Sequence, residues 1–185
     1  MHLGDRRVVM AISMLRGCRY LFWKTQQRQH RGIHVEKKIV DLGLQLPKPS
    51  VPVANFVNFV RRDNTLYLSG HLPVPADGKM LTGKVGKDLT VEDGYEASKF
   101  VGLQLIATLK ANVDDLDKVS VTKIFALVNC VDSFDKHPAV VNGCSDLFVQ
   151  VFGEKGRHAR SAVGTNSLPF NVPVEIEAIF HLETS

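Results

Sequence analysis

The chain has 185 residues, 44% of them hydrophobic and 23% charged, an ordinary globular composition and length enough for one real core. Its net charge of +4 is uneven. Residues 1–34 hold seven of the 23 basic side chains (Arg6, Arg7, Arg16, Arg19, Lys24, Arg28, Arg31) and one acid, Asp5, which leaves 16 basic and 18 acidic residues in the body, a net −2. Such a body lacks the broad positive field on which nucleic-acid affinity rests, and no apolar run approaches the roughly 18 residues that span a bilayer, so neither a nucleic acid nor a membrane is expected as partner.

Residues 1–34 are Arg-rich and acid-poor, with apolar stretches at Val8–Leu15 and Tyr20–Trp23, the composition of a mitochondrial transit peptide. Two other readings fit the same residues: a disordered tail on a cytoplasmic protein, or an upstream start codon with Met10 or Met14 as the true first residue. A secretory signal fits less well, because Arg16, Arg19 and Lys24 interrupt the apolar stretch. His30 and His34 have helical i,i+4 spacing but no acid between them and no further ligand, so no metal site is expected. The cysteines, Cys18, Cys130 and Cys144, are too scattered for a C-x-x-C pair or a disulfide framework and point to a reducing compartment.

The domain itself is expected over residues 35–185. Val35–Leu46 reads as a short helix with Ile39, Val40, Leu42 and Leu44 apolar, ended by Gly43 and Pro47. Pro47, Pro49 and Pro52 then impose an extended connector. Phe56–Arg61 and Thr65–Ser69 form a hairpin around Asp63-Asn64, residues that tolerate the positive φ of a tight turn. Asp77-Gly78 and Gly83–Gly86 make a glycine-rich loop, and the latter lacks the spacing and Lys-Ser/Thr ending of a phosphate loop.

Thr90 is placed to cap a helix with Asp93 at the capping-box position, and Val91, Tyr95, Ser98, Gly102, Leu105, Leu109 and Val113 follow as its core stripe. Val119–Asn129 is a strand. Pro138 opens a second helix that buries Val140, Cys144, Leu147, Phe148 and Val151 and stops at Gly153. Ala159–Gly164 is a short strand. In the last one, Val174, Ile176, Ala178 and Phe180 alternate with Glu175, Glu177, Ile179 and His181, the period of a half-covered strand.

The order β-β-α-β-α-β-β predicts an α+β domain, a mixed sheet with two helices on one face. The second face, with Glu175 and Glu177 among apolar residues, then calls for cover by a partner subunit. No Ser/His/Asp triad or dinucleotide fingerprint can be assembled, and no cofactor is expected.

Five motifs occur in order along the body: Leu66-Tyr67-Leu68-Ser69-Gly70-His71-Leu72-Pro73, Gly83-Lys84-Val85-Gly86, Ala159-Arg160-Ser161-Ala162-Val163, Leu168-Pro169 and Val174-Glu175-Ile176-Glu177-Ala178. In these the chain resembles the RidA/YjgF (endoribonuclease L-PSP-like) family of 2-imino acid deaminases from about Val35 to the C-terminus. The resemblance implies a chorismate-mutase-like fold, a homotrimer and active sites in the clefts between subunits. It makes Arg160 the residue that binds the carboxylate of a 2-imino acid, a role suited to a planar fork that stays charged. Glu175, fifteen residues on, becomes the water-orienting carboxylate, with Glu177 as its neighbour on the same face. Ser69 and Asn142 stand at positions that contact substrate or water.

Three substrate-binding positions depart from the family pattern: Phe56 replaces a tyrosine, Ala162 a cysteine and His71 a residue that is usually glutamine. Three functions follow as expectations. The leading one is a hydrolytic deaminase of 2-aminoacrylate or related imino acids, giving 2-keto acid and ammonia. The second is a non-catalytic trimer that holds a carboxylate metabolite. The third is an RNA-directed role as ribonuclease or translation inhibitor, against which the body charge counts.

Overall fold

Capping and turn chemistry place the elements. The computed structural model describes residues 34–52, 54–75 and 78–184; the expectations for the leader, with Cys18 and His30, and for the turn at Asp77 fall outside them. The first helix, α1, covers Val35–Asp41 and not the whole of Val35–Leu46. Gly43 adopts φ +65°, and Leu44 N–H reaches back to the Ile39 carbonyl while Gly43 N–H reaches Val40. That pair of bonds is a Schellman stop, so the apolar residues beyond it pack as extended chain.

The hairpin pairs β1 (Phe59–Arg62) with β2 (Thr65–His71), and Asp63 takes the left-handed turn at φ 52°. β1 therefore starts three residues after Phe56. There the chain is still turning, with Phe56 N–H bonded to the Ala54 carbonyl and the Asn58 side chain held by Ser50.

Helix α2 (Val91–Asn112) begins with a complete capping box: Asp93 N–H donates to Thr90 Oγ1 at 3.1 Å, and Thr90 N–H to Asp93 Oδ2 at 2.9 Å. Such a cap contributes about 1 kcal/mol. The second half of α2 is buried almost all round, beyond the predicted stripe, because the sheet covers one side and the helix α3 (His137–Phe152) another. α3 has Pro138 in its first turn and stops at Gly153, φ 62°. Where the two helices cross, Gly143 lies so close to α2 that a methyl group there would overlap the Tyr95 carbonyl oxygen.

The remaining strands are β3 (Val119–Asn129), β4 (Ala159–Thr165) and β5 (Val174–Leu182). They complete a five-stranded sheet in the order β1-β2-β5-β3-β4, antiparallel except for the β3/β4 pair. The crossovers β2–α2–β3 and β3–α3–β4 both advance toward the β4 edge. The right-handed rule for such crossovers then puts both helices on one face, where Leu66, Ile124, Phe148, Ile176 and Phe180 form the core. The opposite face is open among the described residues. Val60, Tyr67, Ser69, Lys123, Phe125, Glu177 and Ile179 line a shallow depression of about 250 Å³ on it.

Candidate functional site

Arg160 lies on the edge strand β4 in register with Ile124 of β3, a core residue, so its side chain leaves the sheet on the helix face. There it meets α3. Asn142 and Ser145, three residues apart and hence neighbours on one helical face, accept from Arg160 Nη1 at 2.9 and 3.0 Å. Both hydrogens of Nη1 are thereby spent. The Nε–H and Nη2–H edge has no partner among the described residues, and its two parallel donors match a carboxylate approached side-on.

Ser145 Oγ also lies 3.1 Å from Nε2 of His158, whose Nδ1 is 2.6 Å from the Gly156 carbonyl. Burial holds His158 below the ordinary imidazole range; the Gly156 bond opposes this and the Arg160 charge adds to it. Cys144, alongside on α3, is fully enclosed, and burial pushes its thiol far up, so it is inert as a nucleophile. Ala162 follows Arg160 on the same face, in register with Ala126.

The second group of residues stands on the open face. Glu175 of β5 pairs with Leu127 and is half-buried. Burial, and then the neighbouring Glu177 charge, raise its carboxyl above the ordinary range. Its Oε1 rests over Gly70, where any side chain would collide with it. Gly70 belongs to a bulge: Leu68 pairs with Ala178 and His71 with Ile176, so three steps on β2 match two on β5. Ser69 Oγ donates to the Val57 carbonyl at 2.7 Å, which places Phe56, next in the chain and 48% exposed, beside this group.

His71 corrects an expectation. It does not line a substrate surface: it is 2% exposed and points into the core. Its Nδ1 lies 2.6 Å from the Ser69 carbonyl and its Nε2 2.8 Å from Thr108 Oγ1 on α2. A carbonyl only accepts, so Nδ1 carries the hydrogen and Nε2 accepts from Thr108. Burial lowers its pKa, the Ser69 bond opposing, and the neutral ring pins the bulge that carries Ser69 and Gly70.

Within one chain, then, Arg160, Asn142 and Ala162 share the helix face at the β4 edge, while Ser69 and Glu175 share the open face and Phe56 stands exposed in the bend before β1. Three residues escaped the sequence reading. Ser145 had a signal, its three-residue spacing from Asn142, and His158 had one too, its two-residue spacing from Arg160. Gly70 had none beyond being a glycine in a strand.

These features define an α+β domain of the chorismate-mutase-like class. The family described as "YjgF/chorismate mutase-like, putative endoribonuclease" matches residues 36–180, and the chain belongs to it. Protein TCP17 of Trypanosoma cruzi is 42% identical over 143 residues, 76% of this chain and 89% of that protein. The crystal structure of the protein Atu1372 from Agrobacterium tumefaciens superposes with a TM-score of 0.74 at 40% identity, covering 81% of this chain and 94% of that one. A more distant relative, 26% identical over 141 residues (76% and 95% of the two chains), is the 2-iminobutanoate/2-iminopropanoate deaminase of Dermatophagoides farinae.

Proposed function

We propose that the protein is a homotrimeric hydrolase that deaminates small carboxylate-bearing imines and enamines. The observation that carries this reading is the side-on edge of Arg160, held out by Asn142 and Ser145 and free to take a carboxylate. The deaminase name of the Dermatophagoides farinae relative supports the choice of substrate. Glu175 supplies the complementary group, a half-buried carboxyl whose raised pKa suits it to hold a water and take its proton. Water oxygen bonds to the C=N carbon as Glu175 passes one water proton to nitrogen; the resulting hydroxyl then gives up its second proton by the same route, the C–N bond breaks, and 2-keto acid and ammonia leave.

Because the two groups stand on opposite faces of one sheet, the cleft takes Arg160 from one copy and Glu175 from the next. The apolar part of the open face (Phe125, Leu127 and Ile179) is what such a neighbour would cover. The loss of a hydroxyl at Phe56 and of a thiol at Ala162 favours the second reading, a trimer that binds a carboxylate without turning it over. An RNA substrate is disfavoured by the net −2 of the body.

The test generates 2-aminoacrylate in situ with a pyridoxal-phosphate enzyme and follows keto acid release. Wild type is expected to accelerate release over the spontaneous reaction. Glu175→Gln should lose at least about tenfold of that rate and still bind 2-oxobutanoate, since it lacks a base and not an anchor. Light scattering on the full chain should give three times the 20.5 kDa protomer. Wild type without acceleration leaves the binding protein standing; a monomer removes the cleft.

A further inference from the structure

The deamination scheme uses neither Ser145 nor His158, yet both are joined to its anchor. Because the Gly156 carbonyl can only accept, His158 Nδ1 carries the hydrogen and Nε2 offers a lone pair. Ser145 donates its hydroxyl hydrogen to that nitrogen, which turns the Oγ lone pairs toward Nη1–H of Arg160. Phe148 closes the ring from the side, edge-on at 5.9 Å. This donor order requires a neutral imidazole. A proton on Nε2 would reverse the bond to Ser145 and set a second cation one hydroxyl away from the guanidinium.

We propose that Ser145 and His158 are positioning residues for Arg160 and that they couple uptake of a carboxylate there to protonation of His158. The coupling rests on the carboxylate-anchor reading of Arg160. Without an anion the two cations repel; a carboxylate on the Nε/Nη2 edge offsets both. In the free protein burial chiefly, and to a lesser degree the Arg160 charge, hold His158 below the ordinary imidazole range, against the Gly156 bond.

Among the described residues, the other charged groups nearby are engaged elsewhere. Arg157 pairs with Glu154 and Lys155 with Glu183 in the turn before β4, and Asp146 on α3 accepts from Tyr95. On β3, Lys123 faces Ala159 on the open side of the sheet, and Cys144 on α3 is a neutral thiol. In the proposed cleft, Glu175 of a neighbouring copy adds a further titrating group.

Carboxylate binding should therefore raise the His158 midpoint and take up part of a proton. Affinity then increases as pH falls between the bound and free midpoints and is flat above them. A 2-oxo acid carboxyl titrates far below that window.

The experiment uses the full chain with Glu175→Gln, which removes the competing titration, and 2-oxobutanoate as probe. The His158 ring resonance, assigned by its loss in His158→Gln, is followed by NMR from pH 5 to 8 with and without ligand. Expected are an upward midpoint shift of about half a unit or more and about 3- to 10-fold tighter binding at pH 5.5 than at 7.5. His158→Gln should bind with a flat pH profile, and Ser145→Ala should bind more weakly at both pH values. An unmoved midpoint with saturable binding overturns the coupling and leaves the anchor intact. No saturable binding at any pH overturns the anchor, and the coupling with it.

Discussion

Arg160→Lys is expected to lower kcat/KM for in-situ 2-aminoacrylate by about 30- to 1000-fold, although the charge is kept. An ammonium is a compact point charge on a flexible stem and cannot present the two parallel donors that Nε and Nη2 offer. Were it to take the place of Nη1 between Asn142 and Ser145, one of its three hydrogens would remain for a ligand, a single donor in place of two. Loss of a desolvated, charge-assisted pair costs on the order of 2–4 kcal/mol, which sets the fold-change. Arg160→Ala should do the same or worse, with near-wild-type circular dichroism, because the side chain lies at a sheet edge and not in the core. Initial-rate kinetics on both variants check this. Unchanged activity in both places the anchor elsewhere in the molecule.

The second large effect is on stability. Gly143→Ala should lower Tm by roughly 4–12 °C, a net loss of about 2–3 kcal/mol in a domain of this size. Alanine is the better helix former by about 1 kcal/mol, so helix propensity alone predicts the opposite sign. The collision wins because its target is the Tyr95 carbonyl, part of the α2 backbone that no rotamer change can move. Relief requires α2 and α3 to separate, which loosens Gly102 from Leu147 and Cys144 along the same seam. Differential scanning calorimetry decides between the two signs.

The helices α2 and α3 and the strand β5 were legible from the chain because their apolar residues keep the period of the element, and Thr90, Pro138 and Gly153 punctuate them. Residue faces near the site were less so. Continuing the alternation of Leu66 and Leu68 puts Gly70 inward and His71 outward, toward a ligand. The bulge inserts one residue, and a single-residue slip exchanges the two faces, so His71 turns into the core. Nothing local announces this, since the bulge is set by how β2 meets β5, more than a hundred residues away. The shorter α1 had its signal in Gly43, but the apolar Leu44 and Leu46 beyond it carried the reading too far. Arg160 and Glu175 were each singled out through their motifs. Their opposite faces follow only from strand register, and Ser145 and His158 meet only because α3 folds back over β4.

The separation of Arg160 from Glu175 has a genetic consequence. In the proposed cleft the two defects are carried by different walls, so they behave as complementing alleles. A homotrimer of Arg160→Ala chains has no intact cleft, and neither has one of Glu175→Gln chains. Mixed at random in one cell, the two chains rebuild a wild-type pair wherever a Glu175→Gln subunit lends its arginine to an Arg160→Ala neighbour that still has its glutamate, about a quarter of all clefts. Both defects on one chain, with wild type as the other, leave the same quarter intact. The arrangement of the two changes in cis or in trans therefore leaves the population of working clefts unaltered, whereas two residues on one wall would give a null in trans.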